Sequence, residues 1–202
     1  MSTHETTDPT RPDNPTLALE LVLARGDLSR FVQQRAAEAE QRLGFTFEGC
    51  SDAPSTYQQL RGAHNESVDS GTPLPISNLY CDSTIFFTAQ DNVRFRFWHD
   101  TSHIQLGVSF SLDDELELAQ WHLQQLERAG FPKDCLPWRV FHADLVGQIQ
   151  LMALIGRFPI HQRRFVTDII EYGFEQGLLE EIRRVPDPGR PQRSRTDTLV
   201  TA

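Results

Sequence analysis

Apolar residues recur at helical spacing along most of this chain. Leu17, Leu19, Leu21, Val22, Leu28, Phe31, Val32 and Leu43 lie among charged and small residues. That period predicts a helix over 16–43, with a break near Gly26-Asp27. Residues 44–54 read as loop, Ser55 to about Asn65 as a short helix, and SVDSGTPLPISN as turn material. Leu79 to Phe87 is apolar and β-branched, which predicts an extended segment too isolated to found a sheet.

The second half carries clearer punctuation. Thr88 followed by Asp91 resembles a capping box with Asp in place of Glu, and predicts a helix over about 89–106 that stops at Gly107. Ser111 with Asp113, Asp114 and Glu115 behind it predicts the start of a second helix, about 112–129, running to Gly130. Beyond the loop FPKDCLP come a helix over 138–156 and another at about 160–176 ending at Gly177, with LLEEIRR closing the body. The expected fold is all-α, a helical bundle built around an antiparallel hairpin of 89–106 and 112–129. One domain is expected over 16–185, between flexible tails at 1–15 and 186–202, with no internal repeat.

Composition narrows the class. At 202 residues, 39% hydrophobic and 23% charged, the chain is long enough to bury a core without disulfides. A net charge of −9 and a pI near 5.2 argue against a nucleic-acid partner, whose affinity would rest on neutralising phosphates. The opening residues show neither a basic nor an apolar leader segment. The longest nearly uncharged apolar stretch, about Val146 to Ile155, is too short to cross a bilayer, which takes about 20 residues. Three widely spaced cysteines, Cys50, Cys81 and Cys135, read as reduced thiols, so the expected location is the cytoplasm. Eighteen arginines stand against the single Lys133, a bias that points to a GC-rich, bacterial source. Seven histidines are the remaining oddity.

Two of them carry the chemistry. In His99-Asp100-Thr101-Ser102-His103 the histidines are four apart, so on a helix their rings project from one face and can meet one ion. Asp100 sits on the flank of that face. Glu115 lies as far beyond Ser109 as His103 lies before it, so an antiparallel pair sets the two at one height. Two imidazoles with one or two carboxylates suit zinc, iron or manganese better than magnesium or calcium. HxxxH alone is a common coincidence, and chance remains one reading.

HDTSH, then eleven residues, then Glu115, with Gly107 four residues after the second histidine, resembles the signature of the ubiquinone-biosynthesis family known as coenzyme Q biosynthesis protein four. The likeness covers roughly residues 88–120. It implies an all-helical protein with a zinc ion held by His99, Asp100, His103 and Glu115. It also implies a role in handling polyprenylated quinone precursors, including removal of a ring carboxyl group.

Other residues are candidates for support. His122 follows Glu115 on one helix face, opposite about Arg96, and reads as a partner behind the metal or as an ordinary histidine. His142 and Asp144, with Gln148 and Gln150, read as a polar pocket wall or as an exposed first turn. Phe86, Phe87, Phe95, Phe97 and Trp98 read as core or as a cavity for an apolar ligand. Arg94 and Arg96 read as an anion clamp or as surface charges. His161 with Arg163 and Arg164 reads as a solvated first turn, and joining His64 and Asp144 to His99-Asp100 as a phosphohydrolase pattern is disfavoured by the HxxxH spacing. Three functions stay open: a metal-dependent lyase or hydrolase acting on a small molecule, with Asp100 as base or ligand; a non-catalytic accessory protein with a structural metal; and no metal at all.

Overall fold

Asn14 begins the first helix: its Oδ1 accepts the backbone N–H of Thr16 at 2.9 Å, and Pro15 follows at the first helical position, where no N–H is needed. From there the computed structural model describes residues 14–185; the two expected tails fall almost wholly outside the described residues. Helix α1 (Pro15–Leu43) is followed by β1 (Phe47–Cys50), α2 (Tyr57–Ser70), β2 (Leu74–Ser77), α3 (Ala89–Leu106), α4 (Leu112–Arg128), α5 (Leu136–Ile155), α6 (Gln162–Tyr172) and α7 (Phe174–Arg183). The fold is all-α as expected, with one two-stranded parallel sheet that the sequence did not announce.

That sheet corrects the reading of 44–54 and 67–78 as loop and turn. Helix α2 runs to Ser70, further than expected, from a reciprocal cap between Thr56 and Gln59. It then serves as the crossover that a parallel pair requires. β1 and β2 pair in the register Phe47↔Leu74 to Cys50↔Ser77. Four-residue strands are too short to show an alternating pattern against a helical background.

The core has two parts. The larger joins Leu28 and Phe31 of α1 to Trp98, Leu123, Phe141 and Phe165 of four later helices. The smaller gathers Ala36 and Ala39 of α1 with Leu60, Leu74, Ile76 and Phe97. Helix α1 spans both, and it is unbroken at Gly26, where a break was expected. A Cβ there would lie 3.0 Å from the Phe87 ring, so this glycine serves close packing rather than a stop.

Leu79–Phe87 is not extended. It is a folded-in loop whose Ile85 and Phe86 are in the core. A buried loop must satisfy its own backbone groups, and here distant side chains do so. Arg25 donates to the carbonyls of Ile85 at 3.0 Å and Phe86 at 2.7 Å. Ser29 Oγ accepts the Phe87 N–H at 2.8 Å.

At the C-terminal end the expected single helix over 160–176 is two. It stops at Gly173, whose φ of 94° is the left-handed region glycine tolerates. Gly177, expected as the stop, lies inside α7 against Ile169. Glu181 is fully buried there, accepting Arg157 Nη1 at 2.9 Å and the Ile160 N–H at 2.8 Å.

Candidate metal centre

The α3–α4 hairpin is set by its own capping chemistry. Thr88 Oγ1 accepts the Asp91 N–H at 3.0 Å to start α3, and Gly107, at φ 71°, ends it. Ser111 starts α4. Between them, Asp114 Oδ2 accepts both the N–H of Ser109, at 2.8 Å, and its hydroxyl. These donors hold the Asp114 carboxyl below its usual range. The turn is therefore fixed by side chains of the turn itself.

Across this hairpin His99, His103 and Glu115 meet. His99 Nε2 and His103 Nε2 are 3.1 Å apart. Glu115 Oε2 lies 3.5 Å from His99 Nε2, and its Oε1 lies 3.5 Å from His103 Nε2. For an ion with metal–donor distances of about 2.05 Å, tetrahedral coordination separates neighbouring donors by roughly 3.3 Å. The contacts are close to that edge length, the two to Glu115 being made by its two different oxygens, and the set of two imidazoles and one carboxylate suits a borderline ion such as zinc. Ionisation of Glu115 is opposed by burial, yet the hydrogen bonds and charges of His103 and His99 more than offset this and hold its carboxyl well below the usual range.

Partners behind the ligands fix which nitrogen faces the centre. His103 is fully buried, and its Nδ1 lies 3.1 Å from the Val108 carbonyl. A carbonyl only accepts, so Nδ1 carries a proton, and an ion that displaces the Nε2 proton facing Glu115 would take the lone pair left there. Gly107 makes this possible, because its left-handed turn swings Val108 back over the last turn of α3. His99 Nδ1 lies 3.2 Å from Nε2 of His122. With His99 ligating through Nε2, its Nδ1–H donates to His122, which is then protonated at Nδ1. That Nδ1 is buried without a hydrogen-bond partner and the imidazole lies 4.1 Å from the Trp98 ring, centroid to centroid. Burial first, then the nearby His99 and His103, push the His122 pKa well down and keep it neutral.

The surroundings are aromatic. Phe110 stands edge-on to His103 at 4.8 Å, and Phe95 packs against both His99 and His122 at 5.6 and 5.7 Å. These rings make one wall apolar, while His99 and Glu115 stay partly open to solvent.

Of the four expected ligands, three are brought together. Asp100 is half-buried on α3 and is not a member of the group whose ligand atoms lie within 4.8 Å of one another, which is His99, His103 and Glu115. His122 is opposite His99, not Arg96. Arg94 pairs with Asp91 at 2.9 Å and Arg96 donates to the carbonyls of Ser77 and Leu79 at 2.7 and 2.8 Å, so both are occupied in holding the fold. Phe86 and Phe97 are core and Phe87 is exposed. Asp144 is buried, which corrects its reading as an exposed first-turn acid. His142 is half-buried and stacks on Trp138 at 4.9 Å, while His64 lies edge-on to Phe45 in the smaller core. His161 caps α6, accepting the Arg164 N–H at 3.3 Å. The Val108 carbonyl was not legible in advance, since a main-chain partner leaves no mark on residue type.

No family model, curated protein or solved structure matches the chain. Its three cysteines are free thiols, and no helix among the described residues is long and apolar enough to cross a membrane.

Proposed function

We propose that this protein is a zinc-dependent enzyme of the lyase or hydrolase type, acting on a hydrophobic or anionic small molecule, with the metal held by His99, His103 and Glu115. The reading is carried by the convergence of two histidines and one glutamate, with 3.1 Å between the imidazole nitrogens and 3.5 Å from each of them to one oxygen of Glu115. Three protein ligands are the number found in catalytic zinc sites, where structural sites use four. The spacing HDxxH-x11-E resembles that of the ubiquinone-biosynthesis family, which supports a quinone-precursor-like substrate.

A divalent ion bound there supplies Lewis acidity or lowers the pKa of a bound water. The protein's own contribution is orientation. Val108 and His122 hold the two imidazoles in the ligating tautomer. Phe95 and Phe110 supply apolar walls beside them. Asp100, next to His99 and outside the ligand group, is assigned to proton transfer rather than coordination.

The alternative is an accessory protein in which the metal staples the hairpin. The turn argues against this, because Asp114, Ser109, Ser111 and Gly107 already close it without an ion.

Metal analysis of protein purified without a histidine tag tests the reading. About one equivalent of zinc is expected in the wild type and in Asp100→Asn, with little in His103→Ala and Glu115→Ala. Equal, negligible metal in all four would refute it. Loss of helical circular dichroism on chelation would favour the structural ion instead.

A further inference from the structure

A concave site that shares no residue with the metal ligands has Trp98 in its lining. It is a cavity of about 280 Å³ between α1, α3 and α4, just under the usual span for small-molecule pockets of about 300–1,000 Å³. Its floor is apolar and aromatic, formed by Ala39 and the buried Trp98 with the half-buried Trp121 beside them. Its walls and rim carry Arg35, Arg42 and Arg128 against a single acid, Glu38.

The charge there is opposite to that of the whole molecule. Glu38 is taken by Arg35 Nη2 at 2.7 Å, which leaves Arg42 and Arg128 with no ion-pair partner among the described residues. A chain of net charge −9 thus places two guanidinium groups without ion-pair partners, each in the last turn of its helix, around one opening. Acidic proteins have carboxylates to spare for pairing surface arginines, so a rim left cationic is not what composition alone would produce.

An occupant that suits the site presents acceptors to the arginines and an apolar body to the half-buried Trp121. Guanidinium groups match phosphate oxygens in a planar, two-pronged geometry. A phosphate monoester carries about −1.5 to −2 at pH 7, which matches the two unpaired arginines.

We propose that this cavity binds a small phosphate monoester bearing a planar ring, with the ring against Trp121 and the phosphate held by Arg42 and Arg128. The site does not share a residue with the metal ligands, and the inference does not depend on the metal being bound.

Titration with phenyl phosphate, followed by tryptophan fluorescence, tests it on the full chain. Saturable quenching at sub-millimolar phenyl phosphate is expected. Inorganic phosphate and phenol, each offering half of the recognised chemistry, are expected to bind at least tenfold more weakly. The double variant Arg42→Gln/Arg128→Gln changes two exposed side chains and is expected to keep the wild-type melting temperature while losing affinity at least tenfold. Trp121→Phe is expected to weaken phenyl phosphate without altering its preference over inorganic phosphate. No saturation with phenyl phosphate overturns the proposal. So does saturation that the double variant leaves unchanged, or phenol binding as well as phenyl phosphate.

Discussion

Asp144 is a carboxyl group that the fold holds against its chemistry, and replacing it should stabilise the protein. It is 1% exposed, on α5. Oδ1 accepts two amide donors, Gln148 Nε2 at 2.9 Å and Gln162 Nε2 at 2.7 Å, while Oδ2 has no partner. Burial pushes the pKa from 3.8 up to about 7, against the two glutamine hydrogen bonds and the charge of Arg96. Arg96 is committed to the Ser77 and Leu79 carbonyls, so it eases the charge without pairing it. The unfolded chain gives up this proton near pH 4 and the folded protein near pH 7. Between those values the unfolded state binds fewer protons, so stability falls as pH rises from about 4 to about 7 and is then level in this group's contribution. About three pKa units at 1.36 kcal/mol each set an upper limit of about 4 kcal/mol. Asp144→Asn keeps the oxygen that accepts both glutamines and removes the ionisation. Urea denaturation at pH 5 and pH 8 is the assay. The variant is expected to exceed the wild type by up to about 2 kcal/mol at pH 5 and by up to about 4 kcal/mol at pH 8, the gap widening by about 2–3 kcal/mol between them. Parallel wild-type and variant stabilities at the two pH values would show that Asp144 ionises freely and would refute the reasoning.

Three other perturbations follow from single contacts. His122→Phe removes the acceptor for His99 Nδ1–H at similar volume, so zinc affinity measured by chelator competition is expected to fall about 10–100-fold, with stoichiometry kept at saturating metal; unchanged affinity would mean His99 orients itself. Gly177→Ala places a Cβ 2.5 Å from Ile169 Cγ1 and 2.7 Å from its backbone, which α6 cannot yield, and a loss of about 1–3 kcal/mol or more is expected in denaturant titration; a neutral result would mean α7 is free to move off α6. Glu181→Ala strands Arg157 and the Ile160 N–H, at an expected cost of about 3–5 kcal/mol; a cost under 1 kcal/mol would mean solvent reaches that network.

The features legible in the sequence were those whose cause lies within a few residues. Thr88, Gly107 and Ser111 set the ends of α3 and α4 because caps act on the adjacent turn. The four-residue spacing of His99 and His103 aligned them by helix geometry alone, and the short turn brought Glu115 level with them. Asp100 was less well placed by the same reasoning, since adjacency in sequence turns a side chain about 100° away around a helix.

What the sequence by itself determined was the helical class, the α3–α4 hairpin and three donors on facing helices. The tertiary structure alone decided the rest. It buried Leu79–Phe87 by supplying Arg25 and Ser29 as partners, sank Asp144 among glutamines, and set His122 behind His99. It also gathered arginines from α1 and α4 around Trp98. Each of these depends on which distant segment arrives to satisfy a polar group or cover an apolar one. Local period and capping are short-range effects, and burial is not.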